Sequence, residues 1–148
     1  ADIKNQNQQS YYEDGNWYHV VMTWDTGGGD KLQMYLNGST ANNVTGLDDD
    51  FTGSMARAHL GAKSDSSLSG FITGLMDEAA LFNEVKNAAW VTSAYNSGVP
   101  TNLTKESGLI AYYRFENGSG APVDTSDEGN NGALVSAPGY TTGNLLTV

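Results

Sequence analysis

Residues 17–39 read WYHVVMTWDTGGGDKLQMYLNGS, and the fold is decided in this stretch. Its first arm, residues 17–24, is aromatic and β-branched throughout, which suits a pleated, half-buried strand. In the second arm Leu32, Met34 and Leu36 alternate with Gln33, Tyr35 and Asn37. That period of two turns one face of a strand into a core. Gly27-Gly28-Gly29 separates the arms and reads as a hairpin turn. It lacks the lysine and spacing of a phosphate-binding loop, and a strand follows it instead of a helix. Asn37-Gly38 supplies two residues that tolerate positive φ, as a type I′ turn requires, so the chain is expected to reverse again there.

The whole chain agrees with this reading. A length of 148 residues suits one domain with an ordinary core. The 18 glycines, 8 tyrosines and 3 tryptophans, with only 16% charged residues, describe turn-dense all-β structure. A net charge of −10 with seven basic residues argues against nucleic acid, whose phosphates need clustered Lys and Arg. The same acidity is compatible with Ca²⁺, which takes hard oxygen ligands. Without cysteine there are no disulfides, thiolate metal sites or cysteine nucleophiles. No apolar run approaches the ~20 residues of a membrane span. The chain opens on Ala1 with no signal peptide, as a mature or excised segment would.

Further along, short strand character is expected around Val44 and over residues 55–62, and residues 64–70 form a turn cluster. One long strand is expected over residues 70–83, with Ile72, Met76, Ala80 and Phe82 sharing a face. Residues 83–96 form the one helix candidate: Asn83 or Asn87 caps it, Trp90, Val91, Ala94 and Tyr95 make its stripe, and Gly98 stops it. Residues 109–116, LIAYYRFE, are the strongest strand of the second half. Trp17, Trp24 and Trp90 are expected in the core.

Three segments together resemble the laminin-G-like, pentraxin-like jelly rolls of the concanavalin A-like group. The W-x-H-V strand and Y-x-N-G hairpin of residues 17–38 form the first. Residues 74–83, GLMDEAALFN, resemble that family's G-x-I-D-E-V-x-I-Y-N strand, and residues 109–134 resemble its L-V-A-Y-W-x-F-D-E-G-S-G…D-x-S-G-x-G-N-x-G-x-L element. The resemblance implies an all-β jelly-roll sandwich with one short helix at its edge. The last element normally opens such domains, yet here it comes after the hairpin. Residues 109–148 are therefore expected to supply the opening element of a single circularly permuted domain spanning residues 1–148; the other reading is a segment cut from a tandem array. Open sheet edges left by this arrangement would favour a homo-oligomer.

For chemistry, the resemblance points to a rim Ca²⁺ site held by Asp77, Glu116 and Asp124, with Asn130 or Asn131 adding oxygens. The alternative is that Asp77 and Asp124 are turn or cap residues bonding backbone N–H groups. Catalysis is not expected. Asp77 and Glu78 are adjacent and would point to opposite faces of a strand, the E-x-D-x-x-E motif of the jelly-roll glucanases is absent, and no G-x-S-x-G occurs. Asp48-Asp49-Asp50 lacks the EF-hand spacing and reads as a solvated loop. Asn37, Asn43, Asn102 and Asn117 each begin an Asn-x-Ser/Thr triplet, which matters in a secretory route. The expected function is non-catalytic recognition of a glycan or protein partner at a cell or virion surface, lectin- or adhesion-like, in a calcium-dependent or calcium-independent form and without membrane insertion. The rivals are a structural or assembly domain of a phage or bacterial surface protein, and a sugar-cleaving enzyme.

Overall fold

Strand β1 (Val20–Asp25) pairs antiparallel with β2 (Lys31–Leu36), from Val20 opposite Leu36 to Asp25 opposite Lys31. The computed structural model describes residues 15–25, 31–44, 57–64, 68–69, 72–135, 138–141 and 146–147. Two compact units divide the chain, residues 1–48 with 86–100 and residues 49–85 with 101–148. Pairing is antiparallel in every sheet described, and one short α-helix accompanies the strands, so the chain is all-β. Among the described residues no helix is long and apolar enough to cross a membrane.

In the first unit, β2 also pairs with β3 (Ser39–Val44), and Leu36 opposite Ser39 closes a two-residue loop. Asn37 at φ 48° and Gly38 at φ 76° both take the left-handed conformation, as the Asn-Gly pair predicts. Two points differ from the sequence reading. The strand starts at Val20, so Trp17 lies ahead of the paired register and is 57% exposed instead of in the core. Trp24 and Trp90 are half-buried. The alternation of β2 also does not leave one face free. Leu32 and Tyr35 are both buried, and the β2–β3 register shifts between Met34 and Tyr35. Such a bulge re-aims side chains; the Tyr35 hydroxyl donates to Gln33 Oε1 at 2.7 Å.

Helix α1 (Ala88–Tyr95) starts at Asn87, whose Oδ1 accepts from Trp90 N at 2.9 Å. Of the two candidate caps, Asn87 is the one used. The helix stops earlier than Gly98: Asn96 takes the left-handed cap position, and a 3₁₀ turn (Asn96–Gly98) follows. Val91 is fully buried, and the Lys86 ammonium lies 5.0 Å from the Trp90 ring centroid. The hairpin turn docks on this helix. Thr92 Oγ1 donates to Gly38 O at 2.9 Å, and the His19 and Tyr95 rings lie 5.7 Å apart. A Cβ at Gly38 would come within 2.8 Å of Tyr95 Cδ1, so glycine is required there for both φ and space.

In the second unit, β4 (Lys63–Ser64) and β5 (Leu68–Ser69) form a short hairpin across the expected turn cluster. Residues 57–62 carry no strand, contrary to expectation, and 55–56 lie outside the described residues. The long strand expected over 70–83 is two short ones, β6 (Leu75–Met76) and β7 (Ala79–Phe82), broken where Glu78 takes φ 53°. A left-handed residue cannot continue a strand, so the two pieces join different sheets. β6 pairs with β10 (Leu146–Thr147), which also pairs with β9 (Gly139–Tyr140), whereas β7 pairs with β8 (Leu109–Tyr113). Ile72 precedes β6 and is exposed, and Ala80 in β7 is exposed as well, so the shared buried face expected of Ile72, Met76, Ala80 and Phe82 does not form. β8 ends at Tyr113, short of Glu116, because Phe115 too is left-handed at φ 53°. Ala111, Tyr112 and Phe115 are the buried residues of this segment.

Candidate functional site

The expected site residues belong to the segment that follows β8 and to the break between β6 and β7. An isolated bridge pairs Tyr113 with Asp124, so the loop of residues 114–123 returns beside the strand. Asp124 is buried, and its carboxylate is the centre of a closed set of hydrogen bonds. Oδ1 accepts from Tyr112 N at 2.8 Å and Ser126 N at 2.8 Å. Oδ2 accepts from Ser126 Oγ at 2.8 Å and Asn130 N at 2.7 Å. Four donors fill the lone-pair sites of an ionised carboxylate. Burial pushes the Asp124 carboxyl up, but the donors from Tyr112, Ser126 and Asn130 together outweigh it and hold it below the ordinary value.

Asn130 and Asn131 join the same set with backbone partners. Asn131 Oδ1 accepts from Asp124 N at 2.9 Å. Asn130 Nδ2 donates to Ile110 O at 2.7 Å, and its carbonyl accepts from the Tyr113 hydroxyl at 2.6 Å. Thr125 adds two bonds to Tyr112 O, from its N at 2.8 Å and its Oγ1 at 2.9 Å. Of the five residues expected in one site, Asp124, Asn130 and Asn131 meet without Asp77 and Glu116, and they meet as hydrogen-bond partners of the backbone.

Asp77 and Glu116 belong to a second group. Burial and the neighbouring Glu78 charge push the Asp77 carboxyl up, Glu116 adds to this, and Arg114 opposes it. Arg114 Nε lies 3.4 Å from Glu78 Oε1, and its Nη2 lies 3.6 Å from Glu116 Oε1. The hydroxyl of fully buried Tyr112 donates to Glu78 Oε2, and it also reaches Thr101 O at 3.3 Å. Burial, then this bond and the Glu78 charge, push the Tyr112 phenol well up. The sequence reading missed this Tyr112–Glu78–Arg114 group. Its signal was the pairing of two strands already found: with Ala80 opposite Tyr112, two more residues bring Glu78 opposite Arg114.

These residues do not fit a resident calcium ion as they are arranged. Ca²⁺ takes six to eight oxygens, and the oxygens of Asp124 and the Asn131 side-chain oxygen already accept N–H or O–H donors, while Glu116 faces Arg114. Among the described residues no three His, Cys, Asp or Glu side chains are grouped to hold a metal ion. Two of the four carboxylates a glycosidase could draw on are engaged, Glu78 by Tyr112 and Arg114, and Asp124 by its four donors. The Tyr140 hydroxyl donates to Asn117 Oδ1 at 3.1 Å, and Tyr113 stacks on Phe115 with ring centroids 6.3 Å apart.

Comparison with known proteins adds one finding. A family model of laminin G type, described as the concanavalin A-like lectin/glucanases superfamily, matches residues 1–92. No curated protein and no solved structure matches the chain. The matched segment runs from residue 1 through the hairpin and the Asp77-Glu78 region into α1, and covers more than half of the 148 residues.

Proposed function

The chain belongs to the concanavalin A-like lectin/glucanase superfamily, in its laminin G branch, and from that membership we propose a non-catalytic recognition module that binds a glycan or a protein partner outside the cell. The family match over residues 1–92 carries the reading, because modules of this kind are binding domains. The engaged carboxylates support the non-catalytic half of it, since a general acid or nucleophile must be available to substrate. Antiparallel pairing of β8 with β7 supports reading residues 109–148 as part of the same domain as the preceding strands. The ligand face we assign is the loop surface of residues 113–131 with Tyr140, where Asn side chains and aromatic rings offer what sugar hydroxyls and sugar faces require.

A glycan array probed with the labelled chain tests this, once in calcium and once in chelator. The expected result is retention of a restricted set of glycans, equal in both buffers, and reduced by Tyr140→Ala. Retention in calcium alone would restore a metal-dependent site. Silence across the array from a chain that melts cooperatively, together with no protein capture, would favour the structural or assembly role. Release of reducing sugar from a bound glycan would overturn the non-catalytic reading.

A further inference from the structure

Four triplets fit the Asn-x-Ser/Thr pattern: Asn37-Gly38-Ser39 and Asn117-Gly118-Ser119 end in serine, Asn43-Val44-Thr45 and Asn102-Leu103-Thr104 in threonine. Their side-chain amides are not equivalent in the fold. Asn37 is a half-buried left-handed residue of the hairpin turn, and its Oδ1 accepts from His19 N at 2.9 Å. Asn117 is exposed, but its Nδ2 donates to Ser119 O at 2.7 Å and Ala121 O at 3.0 Å while its Oδ1 accepts from Tyr140. Both N–H bonds of that amide are spent. Asn43 lies in β3 opposite Gln33, and its side chain is outside the described residues.

Asn102 differs from these. It is exposed, in the connection of residues 99–108 that leads into β8. Its Oδ1 accepts from Thr104 N at 3.0 Å and from Thr104 Oγ1 at 2.8 Å, an Asx turn closed on its own triplet. Among the described residues nothing accepts from its Nδ2. An amide nitrogen is a poor nucleophile because its lone pair is delocalised. Donors on the carbonyl oxygen acidify the N–H and ease loss of its proton as a new bond forms at nitrogen. Leu103 at the middle position and the hydroxyl of Thr104 complete what the modification requires.

We infer that Asn102 is the N-glycosylation acceptor of the folded chain, taking sugar from a glycosyl diphosphate donor. In that step Nδ2 attacks C1 of the sugar and a C–N bond forms. The bond from C1 to the diphosphate oxygen breaks, and the diphosphate leaves with the electron pair. One Nδ2 proton passes to a base of the transferase. The donor's diphosphate is carried on a nucleoside or on a lipid, and the acceptor chemistry is the same for both.

The test offers the purified, folded full chain to a soluble N-glycosyltransferase with UDP-glucose and, separately, to an oligosaccharyltransferase with its lipid-linked donor. Tryptic mass mapping follows each site with time, and the urea-unfolded chain serves as the reference. In the folded chain Asn102 is expected to react faster than Asn117 by about tenfold or more, since freeing the Asn117 amide means breaking two hydrogen bonds. Asn37 should react more slowly still, and in the unfolded chain the difference should shrink to what the serine and threonine triplets themselves set. Asn102→Gln and Thr104→Ala should each remove the folded-state adduct. Whichever enzyme modifies Asn102 identifies the donor source. Equal folded-state rates at Asn102 and Asn117, or no adduct at Asn102 with either enzyme, would overturn the proposal.

Discussion

The turn at Asn37-Gly38 and the loop around Asp124 both reverse the chain, yet they are held by different physics. The first follows from local conformation: an Asn-Gly pair takes two left-handed positions, and the flanking strands fall into register. Tertiary docking on Tyr95 only reinforces it. The second depends on one carboxylate that gathers donors from Tyr112, twelve residues upstream, and from Ser126 and Asn130 downstream. A turn encoded locally tolerates loss of any one distant contact, whereas a loop organised around one buried anion does not.

Removing the anion is the most damaging way to break this comparison. Asp124→Ala leaves the N–H of fully buried Tyr112 without its acceptor and frees Ser126 and Asn130. It should cost about 3 kcal/mol, or roughly 10 °C in Tm by thermal melting at neutral pH. Asp124→Asn keeps one acceptor oxygen and should cost about half as much. Acid should mimic the loss. The native carboxyl lies below its ordinary 3.8, so its contribution is complete above that value and disappears as pH falls beneath it through the native pKa.

At the hairpin, Gly38→Ala meets two penalties, a left-handed alanine and a Cβ against Tyr95, for about 2 kcal/mol in chemical denaturation. Made in a Tyr95→Ala background, the same change should lose the clash with the ring and keep the conformational part with a 3.1 Å approach to the remaining Cβ, about 1 kcal/mol. A residual equal to the full penalty would mean that Tyr95 yields freely. His19 gives a smaller, pH-dependent effect. Among the described residues its buried Nδ1 has no hydrogen-bond partner, and burial holds the ring below its ordinary 6.5. The unfolded chain therefore takes up the proton first. Stability is complete above pH 6.5 and declines as pH falls through it, until the native ring itself protonates. His19→Gln should flatten the melting curve's pH dependence between pH 7 and 5.

Asp77→Asn should have the smallest effect, and in the opposite direction. Burial and Glu78 raise the Asp77 carboxyl, so its ionised form opposes folding at neutral pH. The substitution should raise Tm slightly at pH 7, and the gain should vanish below pH 3.8, where the carboxyl is protonated in both states. A fall in Tm at pH 7 would mean that the Asp77 charge is satisfied by partners stronger than Arg114.

The contrast also explains what the sequence could reveal. The Asn-Gly reversal and the Asn87 cap are local signals, and both hold in the structure, whereas the alternation of β2 is broken by the bulge that buries Tyr35. The break at Glu78 is not local. Glutamate has no preference for the left-handed region, and only the Tyr112 hydroxyl and Arg114, brought by β8, account for where its carboxylate sits. The packing tendency of aromatic residues places Trp17 in the core, but it precedes the first paired residue and is exposed. Of the residues the resemblance groups as one rim site, Asp124, Asn130 and Asn131 share a hydrogen-bonded set, while Asp77 and Glu116 lie with Glu78 and Arg114. Whether such oxygens hold a cation or accept backbone donors is decided by N–H groups that sequence does not position.

The central claim is that protein donors alone close the Asp124 loop. Thermal melting of the intact chain in millimolar CaCl₂ and in chelator tests it most directly, because a ligand that binds only the native state raises Tm by mass action. Superimposable curves are predicted. A rise in Tm with calcium that Asp124→Asn abolishes would contradict the account and make the loop a metal site.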